Sequence, residues 1–212
     1  MLYTQITKQQ RINELITCGI VTLIYVFAPL PKELVIIGTM ICCGSYIMYM
    51  EENTTGILKK WGFRTDNIVE ASIIPGIICC IFSILIIAFN FFMRFPTPSF
   101  HMIFLLIVYP LYGIMQQFLV QSLVIGNIIA LYFPYSYKKH IKGITLITAM
   151  MFAILYANNI ISMIANFILA LILTPSHLKY QNLLPLAICQ SILCVFFYYF
   201  ILNQDPLKGL GI

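Results

Sequence analysis

The sequence predicts an all-α, polytopic membrane protein of about seven transmembrane helices, and three observations carry that expectation. Hydrophobic residues make up 61% of the 212 residues and charged residues only 9%. Soluble domains are about half apolar and about a quarter charged, so a chain this greasy has too few polar groups to cover its own surface, and lipid must be its solvent. The apolar residues also recur in runs approaching the ~20 residues needed to cross a bilayer, from one end of the chain to the other. The length suits a single membrane domain over 1–212, with no room for a sizeable soluble one.

Taken in order, the predicted spans are about 14–31, 33–50, 68–93, one within 101–133, 143–157, 159–175 and 182–203. Pro29 and Pro31 join the first two tightly. A Pro96/Pro98 break precedes the long stretch 101–133, which contains Pro110 and Gly113. That stretch predicts a kinked helix, or a short helix feeding a full span. Asn158-Asn159 divides spans five and six, or else bends a single span, which would move the C-terminus to the other side. The N-terminal dozen residues are polar and no small-residue cleavage site follows the first run, so that run reads as a retained span rather than a signal peptide.

Charge sets the orientation. With the N-terminus inside, the inner segments hold Lys8, Arg11, Lys59, Lys60, Arg64, Lys138, Lys139, Lys142 and Lys179, nine of the twelve cations. Lys32, Arg94 and Lys208 are left outside, a positive-inside bias that favours N-in and C-out. The net charge of +5 is therefore a topology signal, with no face for nucleic acid. The densest basic group, Lys138, Lys139 and Lys142, lies beside Tyr135 and Tyr137. It is a candidate docking loop for an acidic partner or anionic headgroups, or simply holds the loop inside. The polar stretch 51–67 reads either as a short headgroup-layer helix over Ile57 to Arg64, its Trp61 and Phe63 anchored at the interface, or as a plain loop. Asn53-Thr54-Thr55 matches a glycosylation acceptor by chance, since it is expected inside.

The seven cysteines, Cys18, Cys42, Cys43, Cys79, Cys80, Cys189 and Cys194, all sit in apolar runs without metal-site spacing. No metal or other cofactor is expected. Ionisable residues inside membranes usually mark pathways or catalysis, and here they are nearly absent: Glu14 and Glu70 fall at span ends, Asp66 and Asp205 in loops. Without an acidic relay, an arginine ladder or an inverted repeat, the chain does not look like a transporter or channel. The spans contain amides instead: Gln116, Gln117, Gln121, Asn127, Asn158, Asn159, Asn166 and Gln190. Each should bond across helices, and as packing glue each would contribute about 0.6–2 kcal/mol.

Their arrangement carries a resemblance. The segment from Pro110 through Gln116, Gln117 and Gln121 to Leu123 is similar to the first motif, Glu-Glu-x-x-x-Arg after a proline, of the CPBP family of CAAX proteases and bacteriocin-processing, Abi-like intramembrane proteases. Phe152 to Tyr156 resembles the family's Phe-x-x-x-His, with tyrosine at the histidine position. Asn182, Pro185, Gln190 and Cys194 match the frame of the third motif, with Gln190 for histidine and Cys194 for asparagine. Leu-Lys-Lys-Trp-Gly-Phe at 58–63 resembles the family's basic segment before a span. The likeness covers about 57–200, leaving 1–50 as two additional N-terminal spans.

The resemblance implies a site in which glutamate and histidine activate water against a peptide bond, and every such position has changed. Gln116, Gln117 and Gln190 cannot exchange a proton near neutral pH. Gln121 lacks the cation of an arginine, and the phenol of Tyr156, with a reference pKa of about 10, is a poor base. His101, His140 and His177 fall at span ends or loops, too far from the motif helices to help. The expectation is a catalytically inactive, CPBP-like pseudoprotease acting as a binding or scaffold subunit in a bacterial inner membrane. Its partners would be other membrane proteins or a hydrophobic or lipid-modified peptide, together with membrane lipids. The alternative is a diverged membrane enzyme or a carrier of lipid or another hydrophobic substrate.

Overall fold

The computed structural model describes residues 6–93 and 100–204, and within them every regular element is helical. The Pro96/Pro98 break, Arg94, Asp205 and Lys208 lie outside the described residues. Thr7 caps α1 (Lys8–Phe27) by accepting from the Gln10 N–H, so this helix starts before the apolar run and ends ahead of Pro29. Pro31 then opens α2 (Lys32–Asn53), with Glu33 in its first turn, where a carboxylate complements the helix dipole. A one-turn α3 (Ile57–Lys60) leads into α4 (Ile68–Met93), which packs along the last helix.

The long apolar stretch forms one helical path. It runs as α5 (Phe100–Gln117), a π-wound segment over Phe118–Ile125, and α6 (Gly126–Tyr132). Pro110 lacks an N–H for the ladder, yet the path continues because α9 (Leu184–Phe200) lies against it. Gly113 makes that closeness possible: a Cβ there would clash with the Ser191 hydroxyl and stand 2.9 Å from the Ala187 carbonyl oxygen. Ser191 in turn donates to the carbonyls of Ala187 and Tyr109, at 2.7 and 3.2 Å.

A 3₁₀ turn over Tyr137–His140 leads to α7 (Ile141–Leu155) and α8 (Ile160–Tyr180), which pack extensively on each other. Asn158-Asn159 belongs to a true connection: α7 closes at Tyr156, and the Asn159 side chain caps α8 by accepting from the N–H groups of Ile161 and Ser162 at 3.0 and 3.1 Å.

Among the described residues four helices are long and apolar enough to cross a membrane: Lys32–Asn53, Ile68–Met93, His101–Tyr132 and Ile160–Tyr180. At 1.5 Å per residue, the 15 residues of α7 and 17 of α9 reach about 22 and 26 Å, short of the ~30 Å hydrocarbon core. α1 has the length but carries Lys8, Arg11 and Glu14 in its first third. Outward-facing apolar side chains such as Val69, Ile84, Phe91 and Phe92 stay largely exposed, as lipid contact requires.

The segment after α2 forms a short helix, α3, as one of the two sequence expectations has it, but its tryptophan is placed differently. Trp61 is buried, with its ring edge-on to Phe118 at 5.1 Å and 5.6 Å from the Tyr46 ring, rather than anchored among headgroups. The α8–α9 connection holds it there. Leu183 N–H donates to the Gly62 carbonyl at 2.9 Å, and the Asn182 amide donates to the Arg64 carbonyl at 2.8 Å and to the Asn67 side-chain oxygen at 2.9 Å. Gly62 has φ +89 and sits against the Leu183 and Gln181 backbone, a position that only glycine takes without strain. Outside this clamp Arg64 and Lys59 grip Asp66 from two sides, at 3.0 and 2.7 Å. The bonds from Arg64, then Lys59, hold the Asp66 carboxyl well below the usual carboxylate range.

Candidate functional site

The degenerate motif positions converge at the meeting of α5, the π segment, α7 and α9. Gln117 donates from Nε2 to Oε1 of Gln190 at 2.6 Å. Gln190 donates from its own Nε2 to Oε1 of Gln116 at 3.2 Å, and the Tyr156 hydroxyl donates to that same oxygen at 3.1 Å. Gln116 passes its amide proton to the Tyr112 hydroxyl at 2.8 Å, one helical turn back, and Tyr112 stands 3.4 Å from the Tyr25 hydroxyl of α1. Cys194 lies 4.0 Å from both the Tyr156 hydroxyl and the Asn166 carbonyl oxygen. All six motif residues are buried, with Gln116, Gln117, Gln121 and Gln190 at 2–4% exposure. Burial of this degree is tolerable because an amide offers both donor and acceptor, so a ring of amides and phenols can satisfy itself.

Helix geometry explains who meets whom. Pro185 opens α9 in its first turn, and Gly113 lets that helix close on α5, which sets Gln190 opposite Gln117. α7 reaches α9 through Tyr156, at the very end of the helix, where the chain turns toward Asn159. Gln121 stands slightly apart. It donates to the Thr174 hydroxyl of α8 at 3.3 Å, and its Oε1, like that of Gln117, has no partner among the described residues. Both glutamines border a small void shared with Asn166 and Gln190.

Two spaces adjoin the cluster. A narrow apolar one, between α1, α2, the π segment and α7, touches Gln116 and Tyr112. A more polar one lies toward the basic end and is lined by Lys60, Gln121, Ser122, Tyr137 and His177. His177 is therefore not remote as the sequence suggested. It is buried in the last turn of α8 and shares a pocket with a motif residue, because Gly62 and the 181–183 connection close over it. Ser122 in that pocket donates its proton to the Trp61 carbonyl.

The candidate docking loop is divided. Tyr135 is fully exposed and Lys138, Lys139 and Lys142 are exposed, while Tyr137 is half-buried against the core around Trp61.

A second polar cluster escaped the sequence argument. Glu14, expected at a span end, is buried at 7% exposure: Tyr46 of α2 donates to its Oε1 and Asn127 of α6 to its Oε2. Arg11 donates to the Asn127 carbonyl oxygen at 3.0 Å. The i, i+3 spacing of Arg11 and Glu14 was visible; their partner 113 residues away from Glu14 was not. Among the described residues no group of three or more His, Cys, Asp or Glu is placed to hold a metal ion. No family model, curated protein or solved structure matches the chain.

Proposed function

We propose that this is a catalytically inactive, CPBP-like membrane protein, a pseudoprotease that serves as a binding or scaffold subunit of a complex in a bacterial inner membrane. The observation that carries this reading is the buried amide network Gln117–Gln190–Gln116–Tyr156. The positions that resemble glutamate and histidine sites meet in one place, as relics of one site should, and the groups now there bond to each other instead of activating water. Loss of charge is mutual: without carboxylates at 116 and 117 there is no need for a cation at 121, and neutral amides can be buried where ions could not.

In this proposal α1, α2, α4, the 100–132 path, α7, α8 and α9 are seven spans, N-in and C-out, with the shorter α7 and α9 shielded by their neighbours. The positive-inside bias supports that orientation. The partner is another membrane protein or a hydrophobic or lipid-modified peptide. A second reading, a carrier of lipid or another hydrophobic substrate, is favoured by the apolar space that reaches Gln116.

Affinity purification in mild detergent, with mass spectrometry of co-purifying proteins, tests the subunit reading. Gln190→Asn and Tyr156→His should leave partner association largely intact, since both keep hydrogen bonding. Reversing the charges of Lys138, Lys139 and Lys142 should reduce it while cysteine-accessibility labelling reports unchanged sidedness. Association unaffected by that reversal would sink the docking role of the loop; absence of any stable partner would favour the carrier.

A further inference from the structure

The Glu14 cluster has no part in the amide network, and it sits at one end of a distinct groove. α1 and α2 diverge to leave a trough that, with the open space before it, holds about 1440 Å³. Gln10, Asn13 and Glu14 line one end, while Val21, Ile24 and Leu34 line the body and far end. From Gln10 to Ile24 the trough follows α1 for about 21 Å at 1.5 Å per residue, some two thirds of the ~30 Å hydrocarbon core. A polar end and a long apolar body reproduce the head-to-tail polarity of an amphiphile.

Charge narrows the choice of head. Both oxygens of Glu14 accept hydrogen bonds, from Tyr46 and Asn127, the pattern of a carboxylate. Among the described residues the ion pairs both involve Asp66, and Arg11 stops at Asn127 without reaching Glu14 in an ion pair. A buried carboxylate lacking a cation at contact distance is costly, and inside a membrane such a residue marks a binding or transport role by default. An ammonium carrying N–H donors would supply both the missing charge and a third bond. We propose that the α1–α2 groove binds a membrane lipid with a primary-ammonium headgroup, the head on Glu14 and an acyl chain along Val21, Ile24 and Leu34. This inference goes beyond the proposed function and holds whether or not the amide cluster is a relic.

Trp61, the only tryptophan in the chain, lies 5.6 Å from the ring of Tyr46, which lines the groove, and so reports on its polar end. Delipidated protein in an uncharged detergent is titrated with short-chain phosphatidylethanolamine or with phosphatidylglycerol of equal chain length, reading Trp61 fluorescence and the thermal midpoint. Phosphatidylethanolamine should give a saturable fluorescence change and a concentration-dependent rise in midpoint, half-saturating at a concentration about threefold or more below that of phosphatidylglycerol. Glu14→Gln should erase this preference while keeping the response to the chain. Gly38→Leu should abolish both responses, because Gly38 lines the groove and a Cβ there meets nothing within 4 Å, so the fold tolerates the bulk that fills it. Equal or better binding of phosphatidylglycerol by the wild type would overturn the proposal, as would an undiminished response in Gly38→Leu. Saturation by neither lipid would also overturn it and leave a partner's transmembrane helix as the occupant.

Discussion

Two buried polar clusters lie in this bundle, and they solve the same problem differently. The amide cluster on α5, the π segment, α7 and α9 is neutral, and among the described residues its members exchange donors and acceptors until the side-chain oxygens of Gln117 and Gln121 are left over. The cluster on α1, α2 and α6 contains formal charges, Glu14 and Arg11, joined indirectly through Asn127. A neutral network in hydrocarbon is inexpensive and can be kept for packing alone. A charged one is expensive and implies something to bind or couple. On that comparison the amide cluster serves packing, while the N-terminal helices hold the buried charge.

The comparison is broken most decisively by putting charge back into the amide cluster. Gln116→Glu combined with Gln117→Glu should destabilise the protein by about 3–5 kcal/mol, the cost of uncompensated buried charge, with Gln121 and Tyr156 offering no cation. The expected readout is a collapse in the yield of folded protein from detergent, without gain of protease activity. Normal yield would mean that the cluster is wetter than its bonds suggest.

A smaller effect sharpens the contrast between the clusters. Glu14→Ala strands the buried Asn127 amide, a loss of about 1–3 kcal/mol, and removes one bond of the half-buried Tyr46 hydroxyl. Gln190→Ala strands Gln117 Nε2 but leaves Gln116 its bond from Tyr156, for about 0.6–2 kcal/mol. Thermal unfolding of both variants in one detergent should rank Glu14→Ala as the more damaging, and the reverse order would remove the distinction drawn above.

The smallest effect belongs to the exposed clamp of Lys59, Arg64 and Asp66. Its carboxyl is lowered on folding by Arg64 and Lys59, so the stabilisation is present above the ordinary carboxylate range and is lost as pH falls through the lowered value. Solvent screens such surface pairs, so Asp66→Asn should shift the thermal midpoint slightly at neutral pH and less as the pH falls. A larger deficit for Asp66→Asn in acid than at neutrality would contradict this assignment.

Much of the architecture is legible along the chain because lipid imposes a simple code. Apolar runs must be helical to satisfy their own backbone, and the segments separated by Pro29-Leu30-Pro31, Asn158-Asn159 and Asn182 are helices in the structure. Helix ends were less legible: α1 begins at Lys8 because Thr7 caps it, although the apolar run starts later. The convergence of Gln116, Gln117, Tyr156 and Gln190 was expected from motif order, since amides in hydrocarbon must find one another. Gln121, the fourth residue of the π segment, belongs by motif order to the same group and instead bonds Thr174.

What the sequence by itself determined was the solvent, the helical fold and the chemistry denied to the motif positions, since composition and proton inventory are local properties. Only the tertiary structure decided where charge resides. Glu14 looked like a residue at a helix end until Tyr46 and Asn127 closed over it, and His177 looked remote until the 181–183 connection folded it beside Gln121. Burial and pairing depend on contacts between segments tens of residues apart, and no periodicity within one helix records which neighbour will arrive.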